Sequence, residues 1–369
     1  MKIGMLGFGF MGKTHTYAIH NLKFFYKDLP FEAEIAAVCT AHLQTAEKAA
    51  RQFGIPSYTD QEDDIIGNDE IDIIDICTPN IYHYETLKKA IAAGKHIYCE
   101  KPLCVSYEQA EEIKRLAEEK NLKCQIVFNN RFLAPIIRAK EIIDEGGLGR
   151  ILSFRASYLH ASAADVRRNA GWKQDKEICG GGVLFDLGSH AIDLIYYLCG
   201  PFASVMGKSQ IAYPVRKGLN GAEWETNADE AFYMIATLEN GAVGTIEASK
   251  ITVGTNDDLT LQIYGEHGVL KFDLMEPNWL YYYHADGADV PLGGFKGFTK
   301  IECLGRYPMP GGTFPGAKAP VGWLRGHLGS MFNFLQCVNE NKMPSPSFAE
   351  AAHVQWVMEQ AYRSDRQGR

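Results

Sequence analysis

The sequence predicts an α/β protein: a doubly wound parallel sheet first, then a second α/β domain on an antiparallel or mixed sheet. Three observations carry this. Between residues 2 and 128 short apolar runs alternate with stretches of helical periodicity. The 369 residues exceed one ordinary core and suit two domains. Beyond residue 129 strands follow one another in series, joined by short turns. The boundary falls near residue 128, giving domains 1–128 and 129–369.

Residues 2–6 form an apolar run, and 12–25 is helix-like. Residues 34–38 read as a second strand. Thr45–Phe53 reads as a helix, with Ala46, Ala49, Ala50 and Phe53 at helical spacing. Ile71–Ile76 reads as an apolar run broken only by Asp72 and Asp75, as expected of a parallel strand buried on both faces. The helix Tyr82–Ala93 stops at Gly94, a C-cap residue. A strand at His96–Cys99, a helix at Tyr107–Lys120 and a strand at Cys124–Phe128 complete the first domain. The second begins with a helix at Pro135–Glu145, a strand at Ile151–Leu159 and a helix at Leu184–Leu198. Strands are then expected at 203–212, 228–238, 242–250, 259–264, 269–273 and 279–284. Residues 285–322, rich in Gly and Pro, read as loops, and Ser330–Asn341 and Ala349–Ser364 as closing helices.

Composition narrows the function. Hydrophobic residues at 46% and charged residues at 22% fit a globular protein. The net charge of −8, without a basic cluster, argues against nucleic acid and anionic membrane surfaces as partners. No run of 18 apolar residues predicts a membrane-spanning helix, and the first residues lack a secretory pattern. The nine cysteines are odd in number and include no C-x-x-C pair. They are expected to be reduced, mostly buried thiols of a cytoplasmic protein.

Gly7-Phe8-Gly9-Phe10-Met11-Gly12 is G-x-G-x-x-G between a strand and a helix. In that context the first glycine permits the turn and the second admits a pyrophosphate. The third lets helix and strand pack closely. The helix N-terminus then offers its unpaired N–H groups to the phosphates. The second strand runs out at Val38-Cys39-Thr40-Ala41-His42. Thr40 stands where an acidic residue would accept from the ribose hydroxyls of NAD. No Arg follows to pair a 2′-phosphate, and His42 and Lys48 are the nearby cationic candidates. NAD is expected, with NADP left open.

Thr78, Pro79 and Asn80 end a strand, with His83 at the start of the next helix. Strand carboxyl ends line the ligand crevice of such sheets, although Asn80 could serve as a helix cap instead. Glu100-Lys101-Pro102 follows the next strand. Lys101 can act as acid or base, or donate to a substrate oxygen; a surface pair with Glu100 is the plainer reading. Gly180-Gly181-Gly182 leads to Asp186 and His190, one helical turn apart. That spacing suits a general base with an orienting carboxylate, or a satisfied structural pair. A third or fourth metal ligand at suitable spacing is lacking, so no metal is expected.

In this order, and with Asn130-Arg131-Phe132, these motifs resemble the Gfo/Idh/MocA family, which contains glucose–fructose oxidoreductase and inositol dehydrogenases. The resemblance covers essentially the whole chain. It implies an N-terminal Rossmann domain and a C-terminal α/β domain with an open, mostly antiparallel sheet. One face of that sheet would cover the active site and the other would meet a second subunit, so a homo-oligomer is expected. Cofactor contacts would come from Gly7, Gly9, Phe10, Met11, Gly12, Thr40, His42, Thr78, Pro79, Asn80, His83, Glu100, Lys101 and Asn129. The family's catalytic trio falls on Lys101, Asp186 and His190. The histidine would take a hydroxyl proton, helped by the lysine, as hydride leaves for nicotinamide. Arg131, Tyr158, His160 and Trp172 would join the trio around the substrate.

The chain also resembles bacterial members that oxidise the 3-hydroxyl of a glycoside's sugar. Trp279, Tyr281, Tyr282, Tyr283, Phe295, Phe298, Tyr307, Phe314 and Trp323 could face sugar rings or an aromatic aglycone, or else cover a sheet or an interface. The alternatives are an inositol or free-sugar dehydrogenase, a glycosidase using NAD transiently, and a non-catalytic nucleotide or sugar sensor. The intact trio argues against the sensor.

Overall fold

The computed structural model describes residues 1–369 except 219–220, 291, 293, 295, 306–311 and 369, and divides into two compact units. The first comprises residues 1–132, 312–317 and 323–355. Its strands are β1 (Lys2–Leu6), β2 (Glu34–Cys39), β3 (Ser57–Thr59), β4 (Ile73–Ile76), β5 (His96–Cys99) and β6 (Cys124–Ile126). Between them run α1 (Phe10–Phe25), α2 (Leu43–Phe53), α3 (Glu62–Ile66), α4 (His83–Ala92) and α5 (Tyr107–Glu119). The sheet order is β3-β2-β1-β4-β5-β6 and every pairing is parallel. Ala18, Ile19 and Leu22 lie along one face of α1 and bury against Ile3, Met5, Val38 and Ile73. The order in which strands are added reverses between β1 and β4, and the strand carboxyl ends open a crevice there. β3 and α3, three and five residues long, are too short to show a period in the sequence.

The second unit comprises most of 133–305, together with 318–322 and 356–368. It contains α6 (Ala134–Asp144), β7 (Ile151–Leu159), α7 (Lys176–Cys179), α8 (Ser189–Cys199) and β8 (Phe202–Gln210). The strands β9 (Val215–Lys217) and β10 (Glu223–Glu225) form a separate ribbon. β11 (Ala231–Leu238), β12 (Val243–Ser249), β13 (Asp258–Gly265), β14 (Gly268–Asp273), β15 (Trp279–His284) and β16 (Phe298–Glu302) follow. The large sheet runs β16-β15-β14-β13-β7-β12-β11-β8. Its β7–β12 pair is parallel and the other pairs are antiparallel. Along β11, Phe232, Met234 and Ala236 point inward, while Tyr233 and Ile235 stay exposed. α8 packs against β7 and β12 on the covered side.

Several expectations need correction. β16 crosses the segment read as loop. The ribbon β9–β10 is too short to have been seen. The helix expected at 184–198 begins with a widened π-type turn, Leu184–Gly188, before α8. The stretch Lys176–Cys199 is long and apolar enough to cross a membrane, but 83% of its apolar window is buried inside the protein, as for a core helix.

The last two helices are α9 (Trp323–Asn339) and α10 (Phe348–Gln367). α9 starts well before the expected Ser330, because Gly326 and Gly329 weaken the helical signal. In the structure both glycines are buried and α9 packs on α1. Leu328, Met331, Phe332 and Leu335 thereby join the core of the first unit, although the sequence assigns them to 129–369. The aromatic run also has structural work. Lys300 lies over the Trp279 and Tyr281 rings, and the Tyr282 hydroxyl donates to the Gly147 carbonyl. Phe298 packs on Tyr283, Phe314 on Phe25, and Trp323 on Phe10. Phe295 and Tyr307 lie outside the described residues.

Candidate active site

The glycine loop joins β1 to α1. Gly7 has φ +90°, and its N–H donates to the Cys39 carbonyl at 2.9 Å. A Cβ on Gly7 would sit 2.5 Å from the Cys77 carbonyl oxygen, and one on Gly12 would sit 2.6 Å from the Gly7 oxygen. Gly9 differs, since a Cβ there would meet nothing within 4 Å. Gly9 also caps α1 without a side-chain hydrogen bond, and the first turn holds no acidic residue. The loop thus leaves an open space before the positive end of a helix. Phe10 is exposed and Met11 half-buried beside it. Across the crevice Thr78 Oγ1 is buried, with no hydrogen-bond partner among the described residues. An open cradle, uncapped amides and a spare hydroxyl fit a dinucleotide.

Other expected cofactor residues have different work. The Thr40 hydroxyl donates to the His42 carbonyl at 2.9 Å and meets the Thr45 hydroxyl, tying down the start of α2. Its oxygen keeps acceptor capacity, and His42 is exposed nearby. Pro79, half-buried, precedes a short turn, Asn80–Tyr82, and the N-cap of α4 is Tyr82, so Asn80 is not the helix cap. His83 is fully buried, its ring nitrogens 2.9 Å from the Pro102 carbonyl and 3.0 Å from that of Thr78. Burial holds its pKa below the ordinary histidine value. It braces two loops instead of lining a ligand. Asn129 is buried too, donating to Asn130 Oδ1 at 3.2 Å. Arg131 is not a substrate contact in this structure: its buried guanidinium pairs with Glu350 and donates to Ser345 Oγ. Burial pushes the Glu350 carboxyl up, but Arg131 together with bonds from Ser347 and Ser345 outweighs it and holds the pKa below the usual carboxylate value.

Glu100 turns inward into a network that the sequence reading missed. His15 of α1 lies with Nδ1 2.9 Å from Asp75 Oδ1 and Nε2 3.1 Å from Glu100 Oε1. Cys77 Sγ is 3.2 Å from Nδ1. Donor atoms of His15, Asp75 and Cys77 gather within 4.8 Å, but both ring nitrogens already face carboxylates, so we read a proton-sharing network and not an ion site. One signal was available, since Asp75 interrupts the apolar run Ile73-Ile74-Asp75-Ile76 and a charge buried in a central strand needs a partner. Lys101 follows Glu100 on the turn after β5 and is half-buried.

In the second unit the glycine run is structural. A Cβ on Gly182 would lie 2.2 Å from the Asp229 oxygen, and the Gly182 N–H donates to the Asp229 carboxylate at 2.9 Å. Tyr362 also donates to that buried carboxylate, whose pKa burial pushes up. Beyond the run, Asp186 is held by two ammonium groups, Lys173 Nζ at 2.9 Å and Lys250 Nζ at 3.0 Å. Lys250 is buried, Lys173 half-exposed. The His190 ring packs edge-on to Tyr158 at 5.9 Å. Tyr158, itself buried, donates to Asp257 at 2.6 Å, and His160 Nε2 lies 2.8 Å from the same carboxylate. Burial pushes Asp257 up, yet bonds from His160 and Tyr158, with the charges of His160 and His190, hold it below the usual range. Trp172 is 39% exposed, with Lys173 beside its ring. Asp257, Lys173 and Lys250 carried no motif; only folding brings them to Asp186, Tyr158 and His160.

A parallel sheet with an open glycine cradle at its switch point, joined to a unit bearing a histidine–carboxylate–lysine cluster, defines a dinucleotide-dependent oxidoreductase. Residues 1–128 match the oxidoreductase family with an NAD-binding Rossmann fold, and residues 136–271 match the GFO/IDH/MocA C-terminal domain. The chain belongs to this family, is an enzyme, and takes NAD as its cofactor. It is 31% identical to levoglucosan dehydrogenase of Pseudarthrobacter phenanthrenivorans over 368 residues, covering 96% of this chain and 93% of that protein. It is 25% identical over 367 residues to glucose-6-phosphate 3-dehydrogenase of Bacillus subtilis, covering 99% and 96%. A levoglucosan dehydrogenase structure in complex with NADH and levoglucosan superposes with a TM-score of 0.95 at 30% identity, covering 100% of this chain and 98% of that one.

Proposed function

We propose that the protein oxidises a secondary hydroxyl of a pyranose sugar or glycoside, the 3-hydroxyl, to a ketone, with transfer of hydride to NAD. The observation that carries this reading is the cluster of His190, Tyr158 and Asp257 beside an Asp186 carboxylate anchored by two lysines. His190 takes the hydroxyl proton, and the Asp257 carboxylate stabilises the imidazolium that results. Asp186, anchored by Lys173 and Lys250, accepts from a neighbouring sugar hydroxyl. Lys101 donates to the reacting oxygen and lowers the cost of its alkoxide character. Trp172 offers an aromatic face to the ring. When bound, the nicotinamide supplies the hydride acceptor. The similar proteins named for levoglucosan and glucose 6-phosphate support a pyranose, and the latter's name supports the 3-position.

A panel of levoglucosan, glucose, glucose 6-phosphate, alkyl and aryl glucosides and inositols, offered with NAD and NADP, tests this. The expected result is NADH release with a glycoside or sugar and a ketone product by mass spectrometry. His190→Ala should lower that turnover by about 10² to 10⁴ with NADH affinity retained. Inositols turned over faster than every sugar, or His190→Ala at normal rate, would overturn the reading. We further propose a homo-oligomer, because the outer face of the large sheet presents Met206, Tyr233 and Ile235 to solvent. A reducing, cytoplasmic location accords with its free thiols.

A further inference from the structure

We infer that His15 is a positioning residue for Lys101: a buried imidazolium that clamps Asp75 to Glu100 and so fixes the turn carrying the lysine. The inference rests on the role given to Lys101 above. The chain of contacts is continuous. Asp75 Oδ1 and Oδ2 lie 2.9 and 3.1 Å from His15 Nδ1, and Glu100 Oε1 lies 3.1 Å from Nε2. The other Glu100 oxygen accepts the Lys101 backbone N–H at 3.2 Å. His15 and Asp75 are each 1% exposed and Glu100 is 6% exposed.

A neutral imidazole has one N–H and could satisfy one of these carboxylates. Both ring nitrogens face carboxylate oxygens, which calls for two N–H groups and a positive charge. Without that charge two carboxylates, one on β4 and one just after the neighbouring β5, would be buried with no cation between them, a costly arrangement. The groups packed round His15 are Asp75 and Cys77 at β4, Tyr98 and Glu100 at β5, and His327 of α9, whose ring centroid is 6.3 Å away. Burial favours the neutral ring, but Asp75 and the other partners outweigh it, so the His15 pKa is raised well above the ordinary histidine value. The clamp joins three elements: the dinucleotide helix α1, the strand β4 and the turn after β5. A catalytic group displaced by about 1 Å can lose on the order of 10² in rate, so anchorage of this turn bears directly on Lys101.

His15→Gln, Lys101→Ala and the double variant test this, in the full-length enzyme with NAD and the sugar panel above. His15→Gln should lower kcat by roughly 10- to 100-fold while NADH affinity, read by fluorescence titration, stays near the wild-type value. In the Lys101→Ala background the same change should have almost no further effect, because it acts through the group already removed. A substrate-free readout accompanies this. Acetylation by acetic anhydride, resolved by peptide mass spectrometry, should change in rate several-fold at Lys101 in His15→Gln and stay unchanged at Lys114. If His15→Gln fails to accumulate, Glu100→Gln removes the charge from the same link at constant shape and should behave alike. A His15→Gln loss that persists undiminished in Lys101→Ala, or an unaltered Lys101 acetylation rate, overturns the positioning role. Normal turnover in Lys101→Ala would instead sink the functional reading, while the acetylation rates still decide the placement of Lys101.

Discussion

Gly9→Ala separates folding from cofactor binding. A methyl group there meets no protein atom within 4 Å, and Gly9 has φ −75°, outside the left-handed region. Folding stability should therefore change by no more than about 1 kcal/mol. The same methyl occupies the space by which backbone amides at the α1 N-terminus reach the pyrophosphate. A hydrogen bond to a charged group contributes about 1.5–3 kcal/mol. Lengthening two of them costs about 3–6 kcal/mol, or on the order of 10² to 10⁴ in Kd at roughly 1.4 kcal/mol per tenfold. Gly7→Ala is the contrasting control. Its φ of +90° and the 2.5 Å approach to the Cys77 oxygen penalise the fold itself, by roughly 1–2 kcal/mol from backbone strain alone. NADH titration by calorimetry and thermal unfolding read the two effects apart. A Gly9→Ala protein with normal stability and an unchanged Kd would refute the assignment of this loop as the dinucleotide cradle.

Arg131→Met should strand the partly buried Glu350 charge and cost about 3 kcal/mol at neutral pH, measured by urea unfolding. Because the folded pKa of Glu350 is lowered, its pairing stabilises above the ordinary carboxylate value of about 4.3 and is lost as pH falls through the folded value. The gap between wild type and variant should accordingly shrink in acid; a gap independent of pH would contradict the pairing. Ile235→Glu places a charge on the outer sheet face and should yield a particle near 41.1 kDa by light scattering where the wild type is larger. A monomeric wild type would end the oligomer proposal. Thr40→Asp should raise the NAD over NADP preference through repulsion of a 2′-phosphate, and an unchanged ratio of kcat/KM values would put Thr40 away from the ribose.

What was legible in the sequence was legible because it is local. Gly7, Gly9 and Gly12 are spaced by the geometry of one turn, and the alternation of Phe232, Met234 and Ala236 with Tyr233 and Ile235 is the pleat of one strand. The readings that changed are those in which a partner comes from far along the chain. Arg131 reads as a site residue until Glu350 is found against it. His83 reads as a ligand group until Thr78 and Pro102 take its ring. α9 was cut short for the same reason, since its buried glycines lose helical propensity and regain it only by packing on α1.

The sequence by itself determined the parallel αβ order, the glycine loop on its helix, the family, and with it the NAD-linked chemistry. The order and the loop follow from periodicities and turns spanning a few residues, where covalent geometry leaves little choice, and the family and its chemistry from the resemblance that the motifs carry. Only the tertiary structure decided which charges meet: His15 with Asp75 and Glu100, Asp186 with Lys173 and Lys250, and Tyr158 and His160 with Asp257. A buried charge requires a counter-charge but not one at any particular distance along the chain, so its partner is set by the strands and helices that folding brings side by side.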